Sequence, residues 1–160
     1  MPVLVTGAGG QIGRAALAVL GDRGIGLGRA ELDVTDEAAV RAAVEAHRPE
    51  LILHAAAWTD VDGAESDREG ATSANVDANR YVARAAAAVG AKLVTLSTDF
   101  VFDGAKREPY VESDAPNPIS FYGETKLLGE QAALEEHPGG TWVVRTAWVY
   151  DESGIGRAHV

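Results

Sequence analysis

The chain contains no cysteine among its 160 residues, which excludes disulfide bonds and thiol chemistry. Positive charge is also scarce, since 14 Lys and Arg stand against 24 Asp and Glu and the formal net charge is −10. Nucleic acid and anionic membranes are therefore not expected as partners. No apolar run approaches the roughly 20 residues of a membrane-spanning helix. No signal peptide is expected either, and with the missing cysteines this suits the cytoplasm.

The composition, 46% hydrophobic and 24% charged, is ordinary for one globular domain. Short apolar runs alternate with longer amphipathic segments, which predicts about five strands and four helices. This order indicates the α/β class: a doubly wound, Rossmann-like parallel sheet with helices on both faces. The predicted strands are 3–5, 25–28, 51–54, 92–97 and 141–146, and the predicted helices begin near Ile12, at Asp36 after a Thr35 cap, near Ala74 and after Ser120.

A glycine-rich turn follows the first predicted strand, with glycines at Gly7, Gly10 and Gly13. A strand, a glycine turn and a helix N-terminus together can cradle a phosphate, because backbone N–H groups and the helix dipole point at one spot. The spacing is G-x-x-G-x-x-G; the G-x-G-x-x-G pattern fails because residue 12 is Ile12, and no P-loop is present. The alternative is an ordinary strand-to-helix turn.

The end of the second predicted strand would face the adenosine ribose of a bound dinucleotide. An acid there favours NAD, whereas this chain has Gly28-Arg29, and a guanidinium can pair with a 2′-phosphate. Arg29 therefore favours NADP, the alternative being a solvent-exposed arginine. Asp33, a few residues further on, contacts the adenine or is simply a loop acid.

Small residues, Ala55, Ala56 and Ala57, follow the third predicted strand. They would let a ligand lie flat against the backbone, or they serve tight packing on a helix. The acidic loop 58–65 lacks the spacing of a calcium site, so a solvated surface is the better interpretation. Asn75, near the start of the next helix, is a cap or a polar anchor inside the site.

Tyr122 and Lys126 lie four residues apart on one predicted helix and so share a face. A lysine ammonium beside a tyrosine favours the phenolate, so we expect the pKa of Tyr122 to fall. Such a phenol can donate a proton to an alkoxide as hydride reaches a carbonyl, and Thr98 at the end of the fourth strand could bond the same oxygen. The alternative is a surface tyrosine packed on a lysine stem.

Together these motifs resemble those of an extended short-chain dehydrogenase/reductase. The residues of four segments narrow the resemblance to the dTDP-4-dehydrorhamnose reductase family. It runs from about Val3 to Tyr150. The segments that carry it are 54–65 (HAAAWTDVDGAE), 97–104 (STDFVFDG), 122–130 (YGETKLLGE) and 145–150 (RTAWVY).

The resemblance implies reduction of the 4-keto group of a dTDP-6-deoxyhexulose by NADPH or NADH, giving dTDP-L-rhamnose. It implies that Tyr122 is the proton donor, that Lys126 holds the nicotinamide ribose and tunes Tyr122, and that Thr98 binds the carbonyl oxygen. The implied cofactor contacts are Gly7, Gly10, Gln11 and Ile12 at the pyrophosphate, Arg29, Asp33 and Val34 at the adenosine, and Ala55, Ala56 and Ala57 in the middle.

Some members of that family form homodimers through magnesium, although nothing in this sequence identifies a metal site. Members continue well beyond the position of Tyr150, so we expect residues 1–150 to form the NAD(P)-binding domain and 151–160 a tail, without the family's substrate domain. We accordingly expect NADP(H) binding with poor turnover. Two alternatives stay open: a related ketoreductase of antibiotic deoxysugar or dihydrostreptose synthesis, and a non-catalytic dinucleotide-binding regulatory module.

Overall fold

The computed structural model describes residues 1–151 and 154–155. Five strands form one parallel sheet in the order β2-β1-β3-β4-β5, which confirms the predicted fold class. Each is short and rich in β-branched or leucine side chains, as buried parallel strands usually are. Their bounds are β1 Val3–Thr6, β2 Gly24–Leu27, β3 Leu51–His54, β4 Lys92–Thr98 and β5 Thr141–Thr146.

In the described residues, six α-helices connect the strands of this sheet: α1 Gln11–Leu20, α2 Glu37–His47, α3 Val61–Ser66, α4 Arg68–Thr72, α5 Ala78–Val89 and α6 Phe121–Glu136. A π-helical turn, Ser73–Asp77, runs directly into α5, and 3-10 turns occupy Gly21–Arg23 and Asp99–Val101. Within the described residues, no helix has both the length and the apolar character needed to cross a bilayer.

The register of the strands sorts the side chains onto two faces. Leu4, Ile52 and Leu93 are paired neighbours on one face and are fully buried. That face is covered by α2, α5 and α6, whose valines and alanines complete the main core. On the opposite face α1 packs over β2, where a Cβ on Gly26 would lie 2.6 Å from Leu17. Helices therefore lie on both faces of the sheet, as expected.

Two local expectations were wrong. Helix α2 begins one residue later than predicted, and its cap is Asp36, whose carboxylate accepts hydrogen bonds from Ala38 N and Ala39 N. Thr35 instead donates its hydroxyl to Asp33. The predicted loop 58–65 contains the start of α3, because Asp60 caps a turn of helix by accepting from Gly63 N.

The predicted tail, residues 151–160, lies mostly outside the described residues. Its described part pairs with Tyr150 in a two-stranded antiparallel ribbon, β6 Tyr150–Asp151 and β7 Gly154–Ile155.

Candidate active site

The glycine turn between β1 and α1 lies against the segment that follows β3. Gly7 has a φ of +68°, a conformation that side-chain-bearing residues rarely adopt. A Cβ there would approach Ala56 N to 2.6 Å, so the turn rests on the backbone of Ala55 and Ala56. A Cβ on Gly13 would strike the Gly7 carbonyl oxygen. The structure thus brings together the glycine turn and the alanine segment, both of which the sequence predicted at a cofactor site. This close approach requires glycine at position 7.

The N-terminus of α1 differs from those of α2, α3, α4 and α6. Gly10 occupies the N-cap position of α1 and provides no side-chain cap, and the first turn, which includes Gln11 and Ile12, carries no acid. The other four helices are capped by side chains of Asp36, Asp60, Asp67 and Ser120. An uncapped N-terminus beside a glycine turn suits an anionic phosphate, so these residues fit the pyrophosphate of a dinucleotide.

The region after β2 contains one polar contact that sequence reasoning missed. The carboxylate of Glu31 accepts a hydrogen bond from Gly28 N at 2.9 Å. The sequence does carry a signal for this contact, namely an acidic residue three positions after Gly28, the glycine that follows β2. Gly28 itself lies near the glycine turn, since its Cβ would be 3.9 Å from Gly9 N. Glu31 therefore stands beside Arg29 where an adenosine ribose would lie.

The remaining residues predicted at this end have local partners. Asp33 accepts hydrogen bonds from the hydroxyl and the backbone N–H of Thr35, which lower the pKa of its carboxyl. Val34 packs its side chain against the main core, and Arg29 is exposed. The Arg29 guanidinium also lies near enough to Asp33 for its charge to lower the pKa of that carboxyl.

Thr98, Tyr122 and Lys126 meet at the carboxyl end of β4. The Lys126 ammonium donates a hydrogen bond of 2.8 Å to Leu96 O on that strand. The Thr98 hydroxyl donates a hydrogen bond of 3.1 Å to Asp99 Oδ1 and lies near the Tyr122 phenol, and the Phe100 ring meets the Tyr122 ring edge-on at 5.5 Å. Tyr122 and Lys126 are 3% and 5% exposed, so the pair is not a surface tyrosine packed on a lysine stem.

The direction of the Tyr122 pKa contradicts the expectation. Burial raises the pKa of Tyr122, the Thr98 hydrogen bond acts against that rise, and Asp99 adds to it. Lys126 does not lower it here, because its ammonium is turned to Leu96 O. Burial also lowers the pKa of Lys126 to about 8, against an opposing effect of Glu130. At neutral pH the site therefore holds a protonated phenol and a mostly charged lysine.

Asn75 connects the segment that follows β3 to helix α6. Its side chain accepts a hydrogen bond from Trp58 N and donates to Trp58 O and to the Thr125 hydroxyl. It is fully buried in the π-helical turn before α5. Asn75 is therefore a polar anchor, the second of its two predicted roles, and it fixes the chain after Ala57 to α6.

His54 lies at the end of β3, directly before Ala55. Its Nδ1 is 2.7 Å from the Thr6 hydroxyl, and its Nε2 has no hydrogen-bond partner among the described residues. Burial, together with the nearby Lys126 ammonium, lowers the pKa of His54 to about 3. The ammonium therefore lies close to β3, the strand that leads into Ala55, Ala56 and Ala57.

No metal centre is visible in the described part of the chain. No group of three or more His, Asp or Glu side chains there is arranged to hold an ion.

Comparison with known proteins identifies the family. The family model described as "RmlD substrate binding domain" matches residues 1–159. The chain belongs to this family. A dTDP-4-dehydrorhamnose reductase of Streptomyces griseus is 48% identical over 154 residues, which are 94% of this chain and 51% of that protein. A dTDP-4-keto-6-deoxy-D-glucose reductase of Streptomyces niveus is 44% identical over 157 residues, 95% of this chain and 54% of that one.

Solved structures of the family agree with the fold described above. A dTDP-4-dehydrorhamnose reductase of Bacillus anthracis in complex with NADP superposes with a TM-score of 0.90 at 41% identity, over 94% of this chain and 55% of that one. Its counterpart from Clostridium acetobutylicum gives 0.91 at 39% identity, over 95% and 55%. The chain thus spans about half the length of the family members it matches.

Proposed function

We propose that the chain carries the cofactor site and the proton-transfer site of an NADPH-dependent reductase, which reduces the 4-keto group of a dTDP-6-deoxyhexulose. The observation that supports this is the meeting of Thr98, Tyr122 and Lys126 at a strand end, in the same sheet whose β1 ends in an uncapped glycine cradle. In open α/β sheets the carboxyl ends of the strands are where ligands bind.

Tyr122 would supply the proton of the reaction. NADPH, when bound, supplies the hydride that reduces the carbonyl carbon. The Tyr122 O–H bond then breaks, and its proton passes to the carbonyl oxygen to complete the alcohol. The Thr98 hydroxyl stabilises the phenolate left behind before solvent reprotonates it, and the Lys126 ammonium would do so only after turning away from Leu96 O. The raised pKa of Tyr122 keeps the phenol protonated until this step.

The cofactor contacts follow the two segments that meet at Gly7. Gly7, Gly10, Gln11 and Ile12 would surround the pyrophosphate, while Ala55, Ala56 and Ala57 would lie along the middle of the cofactor. Asp33 and Val34 would contact the adenosine through their backbone, since their side chains are engaged. Arg29 would bind the 2′-phosphate of NADPH, while Glu31 beside it suits the free 2′-hydroxyl of NADH.

The cofactor site is tested by titrating the protein with NADPH and with NADH in a calorimeter. We expect saturable binding that is tighter for NADPH. Replacing Arg29 by Ala should weaken NADPH about tenfold, the loss of one charge-assisted contact, and leave NADH unchanged. Glu31→Gln should weaken NADH selectively. Equal losses for both cofactors in Arg29→Ala would contradict the assignment of the 2′-phosphate site.

The proton donor is tested with Tyr122→Phe in an assay of dTDP-keto-sugar reduction. We expect turnover to fall at least about a hundredfold while NADPH affinity is kept, because only the proton is lost. Because poor turnover is expected of this chain in any case, the ratio of the two proteins decides: a non-catalytic regulatory module would show no response to the lost hydroxyl. Tyr81→Phe, on α5 outside the site, is the matched control.

The choice of sugar belongs to the same proposal. Relatives of similar identity are named for 4-dehydrorhamnose and for 4-keto-6-deoxyglucose, so the shared chemistry is a dTDP-linked 6-deoxy sugar with a 4-keto group. Comparing the two sugars as substrates would separate rhamnose synthesis from the antibiotic deoxysugar alternative. The homodimer stays a prediction that sedimentation analysis would test.

A further inference from the structure

Glu130 is a buried acid one helical turn beyond Lys126 on α6. Its side chain is 6% exposed, and Arg145 on β5 binds both carboxylate oxygens, Nε to Oε1 at 2.8 Å and Nη2 to Oε2 at 2.6 Å. In the other ion pairs of the described residues, each side chain is at least 24% exposed. This pair is therefore the most deeply buried one described in the chain.

A buried ion pair is a poor way to stabilise a fold. Removing the Glu130 carboxylate from water costs several kcal/mol, although Arg145 keeps 26% of its side chain exposed, and well-packed apolar residues often serve stability as well or better. The Glu130–Arg145 pair joins α6 to β5, and Thr141, four residues earlier on β5, already donates its hydroxyl to Ala133 O of the same helix. Its chemistry thus points to a task beyond holding α6 on the sheet.

The charge state of Lys126 is what the pair can control. Residues four apart on a helix lie on one face, so the Glu130 carboxylate stands beside the Lys126 stem. It favours the ammonium against the burial that lowers the pKa of Lys126 to about 8. Two other titratable groups lie nearby, Tyr122 on α6 and His54 on β3. At neutral pH both are uncharged, because their pKa values are raised and lowered respectively.

We propose that Glu130 and Arg145 are positioning residues of the site, in which Glu130 keeps the buried Lys126 ammonium charged and Arg145 limits this effect by sharing the carboxylate. Lys126 donates to Leu96 O, so its charge and its place are set together. The role of Lys126 in catalysis rests on the proposed function, but its charge does not.

The proposal is tested on the protein without cofactor, by carbon-13 NMR titration of labelled lysine. The sequence has only three lysines, Lys92, Lys106 and Lys126, so Lys126→Met assigns the signal. In Glu130→Gln the pKa of Lys126 should fall by about one unit, because a nearby negative charge is gone. In Arg145→Gln it should rise, because the Glu130 carboxylate is then no longer shared with Arg145.

The opposite signs separate this role from a structural one. Both substitutions break the same ion pair, so a merely structural role predicts shifts in one direction or none, and either result overturns the proposal. Glu124→Gln, on the exposed face of the same helix, should leave the Lys126 signal unchanged. If Glu130→Gln does not fold, Arg145→Gln and Arg145→Lys still test the proposal. Arg145→Gln should raise the pKa of Lys126 more than Arg145→Lys does, because lysine keeps a positive charge beside Glu130.

The outcome is independent of the proposed function. Failure of the proposed function would appear as absent NADPH binding or as turnover insensitive to Tyr122→Phe, with the NMR shifts intact. Failure of the present inference would appear as unmoved or parallel NMR shifts, with NADPH binding intact. In active protein, Glu130→Gln should move the pH at which activity is half-maximal in the same direction as the Lys126 signal.

Discussion

Burial sets the charge of single residues at this site more strongly than neighbouring charges do. Tyr122 shows this, because its pKa rises with burial although a lysine lies one turn away on the same helix. The i, i+4 spacing of Tyr122 and Lys126 was readable in the sequence. The depth of burial and the turn of the ammonium toward Leu96 O depend on how α6 packs on β4, which no local pattern encodes.

The buried His54 should make the protein sensitive to acid. Its pKa is lowered from 6.5 to about 3, so the unfolded chain binds a proton between these values while the folded chain does not. Stability is therefore intact above pH 6.5 and is lost as the pH falls, by about 2 kcal/mol at pH 5. Urea unfolding of wild type and His54→Gln at pH 7.5 and 5.0 measures this difference.

His47→Gln is the matched control for that experiment, because His47 is exposed at the end of α2. It should lose as much stability on acidification as the wild type does, whereas His54→Gln should lose less. Equal losses in all three proteins would show that His54 accepts a proton in the folded state.

The glycines of the turn differ in how much space a Cβ would have, and this gives a second prediction. Gly13→Ala places a Cβ against the Gly7 carbonyl oxygen and 2.8 Å from Ala8 Cα, so backbone must move. We expect a loss of about 2 kcal/mol in the free energy of unfolding. Gly9→Ala meets no atom within 4 Å and should cost less than about 0.5 kcal/mol. Denaturant unfolding of the two variants compares them directly; similar losses would mean that the turn is not close-packed.

At the level of helices and strands, the sequence predicted the large elements and missed the small ones. Five strands and the helices that became α1, α2, α5 and α6 were readable from apolar periodicity. Helices α3 and α4 have six and five residues, too few for a period to show. Their signal was capping instead, since Asp60 and Asp67 each accept from a glycine N–H three residues on.

The start of α2 provides a prediction at this scale. Asp36 accepts hydrogen bonds from Ala38 N at 2.9 Å and Ala39 N at 3.1 Å, whereas Thr35, the cap expected from sequence, bonds Asp33. Asp36→Ala should therefore cost about 1 kcal/mol in the free energy of unfolding, the usual worth of a cap. Thr35→Ala should cost clearly less. If urea unfolding showed a larger loss of stability for Thr35→Ala than for Asp36→Ala, Thr35 would be the cap of α2.

Across the whole molecule, the two faces of the sheet are covered unequally. On the face with α2, α5 and α6, the strand residues are buried from β1 to β4. On the face with α1, cover decreases across the sheet: Val5 is fully buried, while Trp142 and Val144 on β5 are 53% and 42% exposed. The alternation that sorts these residues was predictable, but their exposure depends on where α1 lies.

This gradient predicts how equal substitutions differ in effect. Val5→Ala removes two methyl groups from a close-packed site and should cost about 2 kcal/mol in the free energy of unfolding. Val144→Ala, on the same face of the same sheet, should cost about 0.5 kcal/mol, because water already reaches the side chain. Denaturant unfolding at several protein concentrations measures both. A cost for Val144→Ala that approaches that of Val5→Ala, and grows with protein concentration, would mean that another copy covers this face in solution.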